Sequence, residues 1–131
     1  LSLARAQGYY DALRLNTEGY LAETCSSNLF FLEDGRFHTP SLDTGILPGV
    51  IRGAVLSIPG LSFGEGLYTP EILSKADAVF VTNSTGGLQP IEQIDDLPEV
   101  GNASYEITSD YYRELAAAFE RVSASRAIPL Y

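Results

Sequence analysis

DALRLNTEGYLAETCSSNLFFLEDGRFHTPSLDTGILPGVIRGAVL, residues 11–56, is the stretch that decides how this chain folds. It opens with short segments in which apolar and polar residues alternate on either side of the turn sequence NTEG, a pattern that predicts a first β-hairpin. A second hairpin runs from SNLFFL to FHTP, with Asp34-Gly35 as its turn and Pro40 at its end. The chain therefore starts its fold with antiparallel strands.

Helices are predicted between later strands. After a loop over residues 42–47, Pro48-Gly49 leads into a short helix, VIRGAVLS. LSFGEGLY then has the pattern of an extended strand. Thr69 and Pro70 suit the N-cap and first position of another helix, which is expected to run to about residue 75.

The rest of the chain continues this alternation. The apolar residues 77–83 predict a buried strand, STGGLQP a turn, and residues 91–95 a further strand. Apolar residues repeat at helical spacing over residues 105–122, and LSLARAQ before Gly8 also has the pattern of a helix. Neither a repeat nor a linker interrupts the chain, so we expect one α/β domain over residues 1–131.

Composition excludes several classes of function. The 131 residues are 45% hydrophobic and carry a net charge of −9, with eight scattered Lys and Arg, which argues against nucleic acid or an anionic membrane as a partner. No apolar run has the roughly eighteen residues of a membrane span, and no secretory leader is visible. The single cysteine fits a reducing compartment, so we expect a cytoplasmic protein. A chain without Met that opens inside a predicted helix is expected to be a fragment.

Glu23 lies at the start of the first of three polar clusters, Glu23-Thr24-Cys25-Ser26-Ser27-Asn28, between two apolar strands. A carboxylate in such a setting needs a cation or a protonated nitrogen as its partner, or else takes up a proton itself. The alternative is a partly exposed glutamate beside a polar bend.

Two further clusters favour an anion. Gly49 permits close approach of the backbone, and the amides of Val50 and Ile51 open a helix, where free N–H groups attract a phosphate. The turn TNSTGG, which contains Asn83 and Ser84, follows a buried strand and offers hydroxyls and free amides. Each cluster has a plain alternative as an ordinary turn.

Other chemistries have little support. His38 is the only histidine and Cys25 has no obvious partner base, so a bound metal, a Ser-His triad and a thiol nucleophile are all disfavoured. The paired carboxylates Asp95-Asp96 and Glu33-Asp34 are expected to be solvated.

Taken in order, the three clusters resemble the second domain of the class IV, fold-type IV pyridoxal-phosphate enzymes. The resemblance rests on the acidic residue, SNLF, TP, LPGVIR and the late TNS turn, and it covers residues 1–94. It implies a mixed β-sheet or barrel-like domain with surrounding helices. The family includes branched-chain and D-amino-acid aminotransferases and 4-amino-4-deoxychorismate lyases.

The resemblance also implies a site for pyridoxal phosphate and a small amino substrate. Glu23 matches the carboxylate that pairs with the protonated pyridine nitrogen, and Leu47 matches the residue that packs on the ring. The amides of Val50 and Ile51 match the phosphate-binding helix start. Asn83 and Ser84 match the second turn on the phosphate side.

Some positions favour the lyase over the aminotransferases. Aminotransferases of the family usually have Thr where this chain has Ile51, and their late turn differs from the one at Asn83. The LPGVIR loop, and the TNS turn followed by Pro90, look more like the lyase, which releases pyruvate and 4-aminobenzoate. The alternatives are an aminotransferase and a non-catalytic module that binds the cofactor.

The resemblance places the Schiff-base lysine thirty-odd residues before Glu23, upstream of Leu1, and Lys75 does not match its position. The first domain of the family is likewise not in this chain. We therefore expect no catalytic residue and no turnover in these 131 residues alone. The family implies a homodimer for the full-length protein.

Overall fold

Nine β-strands and two α-helices are present in the computed structural model, which describes residues 8, 10–106 and 110–125. The strands are β1 (Leu13–Leu15), β2 (Leu21–Thr24), β3 (Asn28–Glu33), β4 (Arg36–Pro40), β5 (Phe63–Gly66), β6 (Ala78–Asn83), β7 (Gly87–Pro90), β8 (Gln93–Leu97) and β9 (Gly101–Ser104). The helices are α1 (Val50–Leu56) and α2 (Asp110–Ser125). The helix predicted over residues 1–7 lies outside the described residues.

Both predicted hairpins are confirmed. Strands β1 and β2 pair antiparallel, as do β3 and β4. The second turn holds Asp34 at φ 53° and Gly35 at φ 74°, so both residues adopt the left-handed conformation. Two-residue turns of this kind match the twist of a hairpin, which is why an Asp-Gly pair signals one.

Strand β3 is the centre of a seven-stranded sheet. Strand β6 pairs along one edge of β3, while β2 pairs with the other edge at Asn28 and β4 pairs with that same edge at Phe31–Glu33. Strands β4 and β5 run parallel and the other pairs antiparallel. The mixed sheet with surrounding helices is confirmed, and its described strands form an open sheet rather than a closed barrel.

The core lies on both faces of this sheet because β3 and β6 are apolar at successive positions. One face carries Phe30, Leu32 and Phe80 and packs against α1 and α2 through Val55 and Leu115. The opposite face carries a second cluster, formed by Leu21, Leu29, Phe31, Leu73, Val79, Val81 and Leu97. A continuous apolar run such as NLFFL is typical of a strand that is covered on both sides.

Four elements differ from the sequence predictions. Residues 87–90, predicted as part of a turn, form strand β7 because their backbone pairs antiparallel with β6. The helix predicted after Thr69 has the expected bounds, Pro70–Ser74, but it is a 3-10 helix rather than an α-helix, because the Asp77 N–H bonds to the Leu32 carbonyl and returns the chain to the sheet. The last helix is described from Asp110 onward, and Tyr105, predicted as its first residue, lies outside it because its N–H bonds to the carbonyl of Glu92. Strand β9, which the sequence did not predict, pairs with β8 in a separate two-stranded sheet.

Candidate functional site

Glu23 lies on β2, half-buried, opposite Asn28 of β3. The two strands are joined by a tight turn in which the Thr24 N–H bonds to the Ser27 carbonyl at 2.9 Å. The Glu23 side chain does not extend into solvent alone: its Oε1 accepts a hydrogen bond from the Leu47 N–H at 2.9 Å. A residue 24 positions along the chain thus fixes the orientation of this carboxylate.

The Leu47 peptide is held at both ends. Its N–H donates to Glu23, and its carbonyl accepts a hydrogen bond from Asn28 Nδ2 at 3.0 Å. Leu47 is nevertheless 74% exposed, and Val50, three residues later, is 84% exposed. Two large exposed apolar side chains beside a half-buried carboxylate mark a surface suited to an apolar ring that carries a polar atom.

Helix α1 begins immediately after this loop, with Gly49 as its N-cap. A Cβ atom at Gly49 would collide with Asn28 Oδ1, so the close approach predicted from the sequence is present. The first N–H groups of any helix have no partner within it, which leaves the Val50 and Ile51 amides without an intrahelical acceptor. The Ile51 side chain packs against the core, so this residue can offer only its backbone.

Arg52 anchors α1 to the sheet. Its side chain is 5% exposed, and Nη2 donates to the Pro40 carbonyl at 3.2 Å and to Glu65 Oε1 at 2.6 Å. The strand that carries Pro40 also carries Thr39, whose hydroxyl bonds to the Leu29 carbonyl of β3. The start of α1 is therefore tied, through β4, to the strand that pairs with Glu23.

Asn83 ends β6, and its side chain organises the following turn. Its Oδ1 accepts hydrogen bonds from the Thr85 N–H at 3.0 Å and the Gly86 N–H at 2.6 Å, and its Nδ2 donates to Ser27 Oγ at 2.8 Å. Ser84 at the tip of the turn is exposed. The Asn83 side chain thus links the late turn to the turn between β2 and β3.

The sheet brings the three predicted clusters to one end of β3. Asn28 lies opposite Glu23 of β2 and opposite Thr82 of β6. Because neighbouring strands lie about 4.8 Å apart, the backbones at Glu23 and Thr82 are separated by roughly 10 Å. Glu23, Leu47, Val50, Ile51, Asn83 and Ser84 therefore all belong to the same region of the molecule.

Two polar atoms buried near this region lack a hydrogen-bond partner among the described residues. They are Thr82 Oγ1 and Arg52 Nε. Thr82 is 1% exposed and lies on the face of β6 that packs toward α1. Burial of a hydroxyl without a partner costs free energy, so this position is not optimised for stability.

Charged and phenolic groups around the sheet have shifted pKa values. Burial raises the pKa of Asp11, but hydrogen bonds from Ser26, Ala12, Thr24 and Cys25 outweigh it and leave the pKa below its usual value of 3.8. Burial raises the pKa of Tyr105 to about 12. Burial also raises the pKa of Tyr68, whose hydroxyl lies 3.0 Å from His38 Nδ1.

Lys75, the only lysine of the sequence, lies far from this region. It is exposed and precedes β6, whereas Asn83 ends that strand. The five residue steps along β6 alone span roughly 17 Å at the usual rise of a strand. Lys75 and the candidate site are therefore at opposite ends of β6.

A cavity of about 430 Å³ lies elsewhere, on the side of the sheet opposite α1. Its walls include Leu13, Leu29, Val81 and Ile94, and its lining contains none of the predicted site residues. The described residues contain no cluster of His, Cys, Asp and Glu arranged to hold a metal. None of the helices that the structure describes is long and apolar enough to cross a membrane.

The contacts of Asn28 and Arg52 are not predicted by the sequence. Asn28 was noted as part of the first cluster and Arg52 as part of LPGVIR, but neither was given a contact. A polar residue that opens an apolar strand and an arginine within an apolar helix are both signals of buried polar contacts. Their partners, 19 and 13 residues away, could not be read from spacing.

Comparison with known proteins gives a consistent result. Residues 1–94 match the family described as Amino-transferase class IV. The aminodeoxychorismate lyase of Bacillus subtilis is 36% identical over 102 residues, which cover 76% of this chain and 34% of that protein.

Two solved structures are similar over nearly the whole chain. The branched-chain aminotransferase of Thermoproteus uzoniensis with norvaline has a TM-score of 0.82 at 31% identity, over 95% of this chain and 41% of its own. The branched-chain amino acid aminotransferase of Thermobaculum terrenum in its PLP form has a TM-score of 0.76 at 28% identity, over 96% of this chain and 41% of its own. The chain spans about a third of the length of the curated relatives it matches.

Proposed function

This chain belongs to the class IV aminotransferase family, and we propose that it is the pyridoxal-phosphate-binding part of an enzyme of that family. The observation that carries the proposal is the hydrogen bond from the Leu47 N–H to Glu23 Oε1. It places a carboxylate, an exposed apolar side chain and the start of α1 within the reach of one small ligand. Leu47 and Val50 are three residues apart, which the backbone can span in at most about 10 Å.

Glu23 fits the pyridine nitrogen of the cofactor. Only Oε1 is used by the Leu47 N–H, and among the described residues Oε2 has no hydrogen-bond partner. Oε2 is therefore available to accept a hydrogen bond from a protonated ring nitrogen, with its direction fixed by the bond to Oε1. Bound pyridoxal phosphate supplies a cationic ring that accepts electrons from the substrate.

The phosphate end is assigned to the start of α1 and to the late turn. The Val50 and Ile51 amides would donate to phosphate oxygens, since a helix start favours an anion. The exposed Ser84 hydroxyl would add a donor, while Asn83 would shape the turn through its bonds to Thr85 and Gly86. The net charge of −9 leaves this task to local dipoles rather than to the overall field.

Leu47 is proposed to pack against the face of the cofactor ring. Its side chain is 74% exposed although its backbone is held at both ends, so it is a rigidly mounted apolar surface without cover. Covering such a side chain with a ring is favourable by about 25 cal/mol for each Å² removed from water.

Among the activities of the family we favour the aminodeoxychorismate lyase. Ile51 has an aliphatic side chain, where aminotransferases of the family usually have Thr, so it offers the phosphate no hydroxyl, as expected for the lyase. The Bacillus subtilis aminodeoxychorismate lyase at 36% identity and the probable branched-chain aminotransferase of Rickettsia felis at 37% are equally similar, so the choice rests on the sequence positions. The resemblance to the family implies a Schiff-base lysine upstream of Leu1, and Lys75, at the other end of β6 from Asn83, does not take its place.

The test uses the complete protein that carries this chain. Incubation with aminodeoxychorismate should release pyruvate and 4-aminobenzoate, and Glu23→Gln should retain the cofactor but lose most of the rate. Amino transfer to 2-oxoglutarate without an aromatic product would instead favour the second candidate. An unchanged rate in Glu23→Gln would show that the assignment of Glu23 is wrong.

The second candidate is a branched-chain or D-amino-acid aminotransferase. It is favoured by the structural similarity to the Thermoproteus uzoniensis enzyme over 95% of this chain. A third, a non-catalytic module that keeps the cofactor site, predicts binding of pyridoxal phosphate without turnover by the complete protein. We further propose that the complete protein is cytoplasmic, acts on a small amino substrate and forms a homodimer. A native mass measurement of the complete protein tests the homodimer.

A further inference from the structure

Asn28 lies where strands β2, β3 and β6 meet the loop before α1. It is 6% exposed, lies opposite Glu23 on one side and Thr82 on the other, and donates from Nδ2 to the Leu47 carbonyl at 3.0 Å. Its Oδ1 lies so close to Gly49 that no β-carbon fits there. The buried Asn28 amide thus contacts the loop before α1 at Leu47 and the N-cap of α1 at Gly49.

The Leu47 peptide connects this amide to the carboxylate. Glu23 Oε1 accepts from the Leu47 N–H, and Asn28 donates to the carbonyl of the same residue. If Asn28 lost its bond, the Leu47 carbonyl would keep only a bond within its own loop, from the Gly49 N–H at 2.9 Å, and the Leu47 peptide would be tied to the sheet only through Glu23. Buried side-chain bonds to the backbone restrict motion in this way.

We propose that Asn28 is a positioning residue for the cofactor. Asn28 acts through Leu47 on the orientation of Glu23, and through Gly49 on the start of α1. The inference rests on the proposed function, because it assigns Asn28 a role toward the same ligand. Asn28 itself need not touch the cofactor. Its effect is to hold Glu23 and the loop at one fixed separation.

The test measures pyridoxal-phosphate affinity by fluorescence titration, and the absorption spectrum of the bound cofactor, in the complete protein that carries this chain. Asn28→Ala should weaken binding about tenfold, the loss expected for a misplaced hydrogen-bonded group. Its spectrum should shift in the same direction as that of Glu23→Gln. Tyr105→Phe, which also removes a part-buried bond from a side chain to a backbone carbonyl, that of Leu73 in the second core cluster, should change neither.

A second arm uses the contact with Gly49. Gly49→Ala alone should weaken binding because its new methyl group displaces Asn28, whereas adding Gly49→Ala to Asn28→Ala should cost little more. If Asn28→Ala does not fold, Asn28→Ser replaces it in both arms.

The outcomes separate the two proposals. Wild-type affinity and spectrum in the Asn28 variant, or fully additive losses with Gly49→Ala, would overturn the role of Asn28 alone. Failure of the wild-type protein to bind pyridoxal phosphate would overturn the proposed function itself. Coupled losses with a shifted spectrum would support both.

Discussion

Arg52 and Glu65 form a salt bridge of 2.6 Å in which the Arg52 side chain is 5% exposed and the Glu65 side chain 48% exposed. The pair is asymmetric, because Arg52 also donates to the Pro40 carbonyl inside the protein. Removing the arginine leaves the Pro40 carbonyl without this hydrogen bond and leaves a space where the guanidinium was. Removing the charge of the half-exposed glutamate leaves a side chain that water can still solvate.

Arg52→Met should therefore destabilise the protein much more than Glu65→Gln. We expect a loss of about 2–3 kcal/mol for Arg52→Met and of less than about 1 kcal/mol for Glu65→Gln. Urea unfolding followed by circular dichroism measures both. Equal losses for the two variants would show that the salt bridge, rather than the bond to Pro40, holds α1.

Thr82→Val and Thr39→Val form a matched pair of buried substitutions. The Thr82 hydroxyl has no partner among the described residues, so its removal should be neutral or stabilise the protein by up to about 1 kcal/mol. The Thr39 hydroxyl bonds to the Leu29 carbonyl at 2.7 Å, so its removal should cost about 1 kcal/mol. Thermal unfolding of both variants provides the comparison, and a large loss in Thr82→Val would reveal a partner for its hydroxyl.

Ser26→Ala should lose less folding stability than wild type does as the pH falls into the acid range. Ser26 Oγ donates to Asp11 Oδ2 at 2.5 Å and helps to keep the pKa of Asp11 below 3.8. A lowered pKa contributes stability that is present above the unfolded pKa of 3.8 and lost as pH falls through the folded pKa. The difference between wild type and Ser26→Ala should thus be seen at neutral pH and vanish in acid. Ser74→Ala, which removes an exposed bond to the Glu71 carbonyl, serves as the control.

Tyr105 should make the protein sensitive to alkali. Its pKa is raised to about 12 by burial, and its hydroxyl donates to the Leu73 carbonyl at 2.6 Å. The unfolded chain loses the phenolic proton near pH 10 and the folded chain only near pH 12. Stability from this group is therefore present below pH 10 and declines between pH 10 and 12. Tyr105→Phe should abolish that part of the decline in urea unfolding, and Tyr10→Phe, an exposed position, should not.

The sequence predicted the local elements well and the distant contacts poorly. Turn pairs such as Asp34-Gly35 act over a few residues, so both hairpins and α1 could be read from the chain. The 3-10 helix after Thr69 and the non-helical Tyr105 depend on bonds from Asp77 to Leu32 and from Tyr105 to Glu92, which no local pattern contains. For the same reason local patterns name candidate site residues, whose roles stay predictions, while the contacts of Asn28 and Arg52 with Leu47, Pro40 and Glu65 could not be read from the sequence.

The three-way pairing of β3 has a consequence for how this protein tolerates change. Glu23, the late turn and the loop before α1 all take their register from Asn28, at the start of this strand. A one-residue slip of β3 against its neighbours would turn Asn28 to the other face and separate the three. The Asp34-Gly35 tip is roughly 17 Å away at the far end of β3. Inserted residues or a fluorescent label at that tip should leave the ligand end undisturbed, which makes it the natural place to attach a reporter.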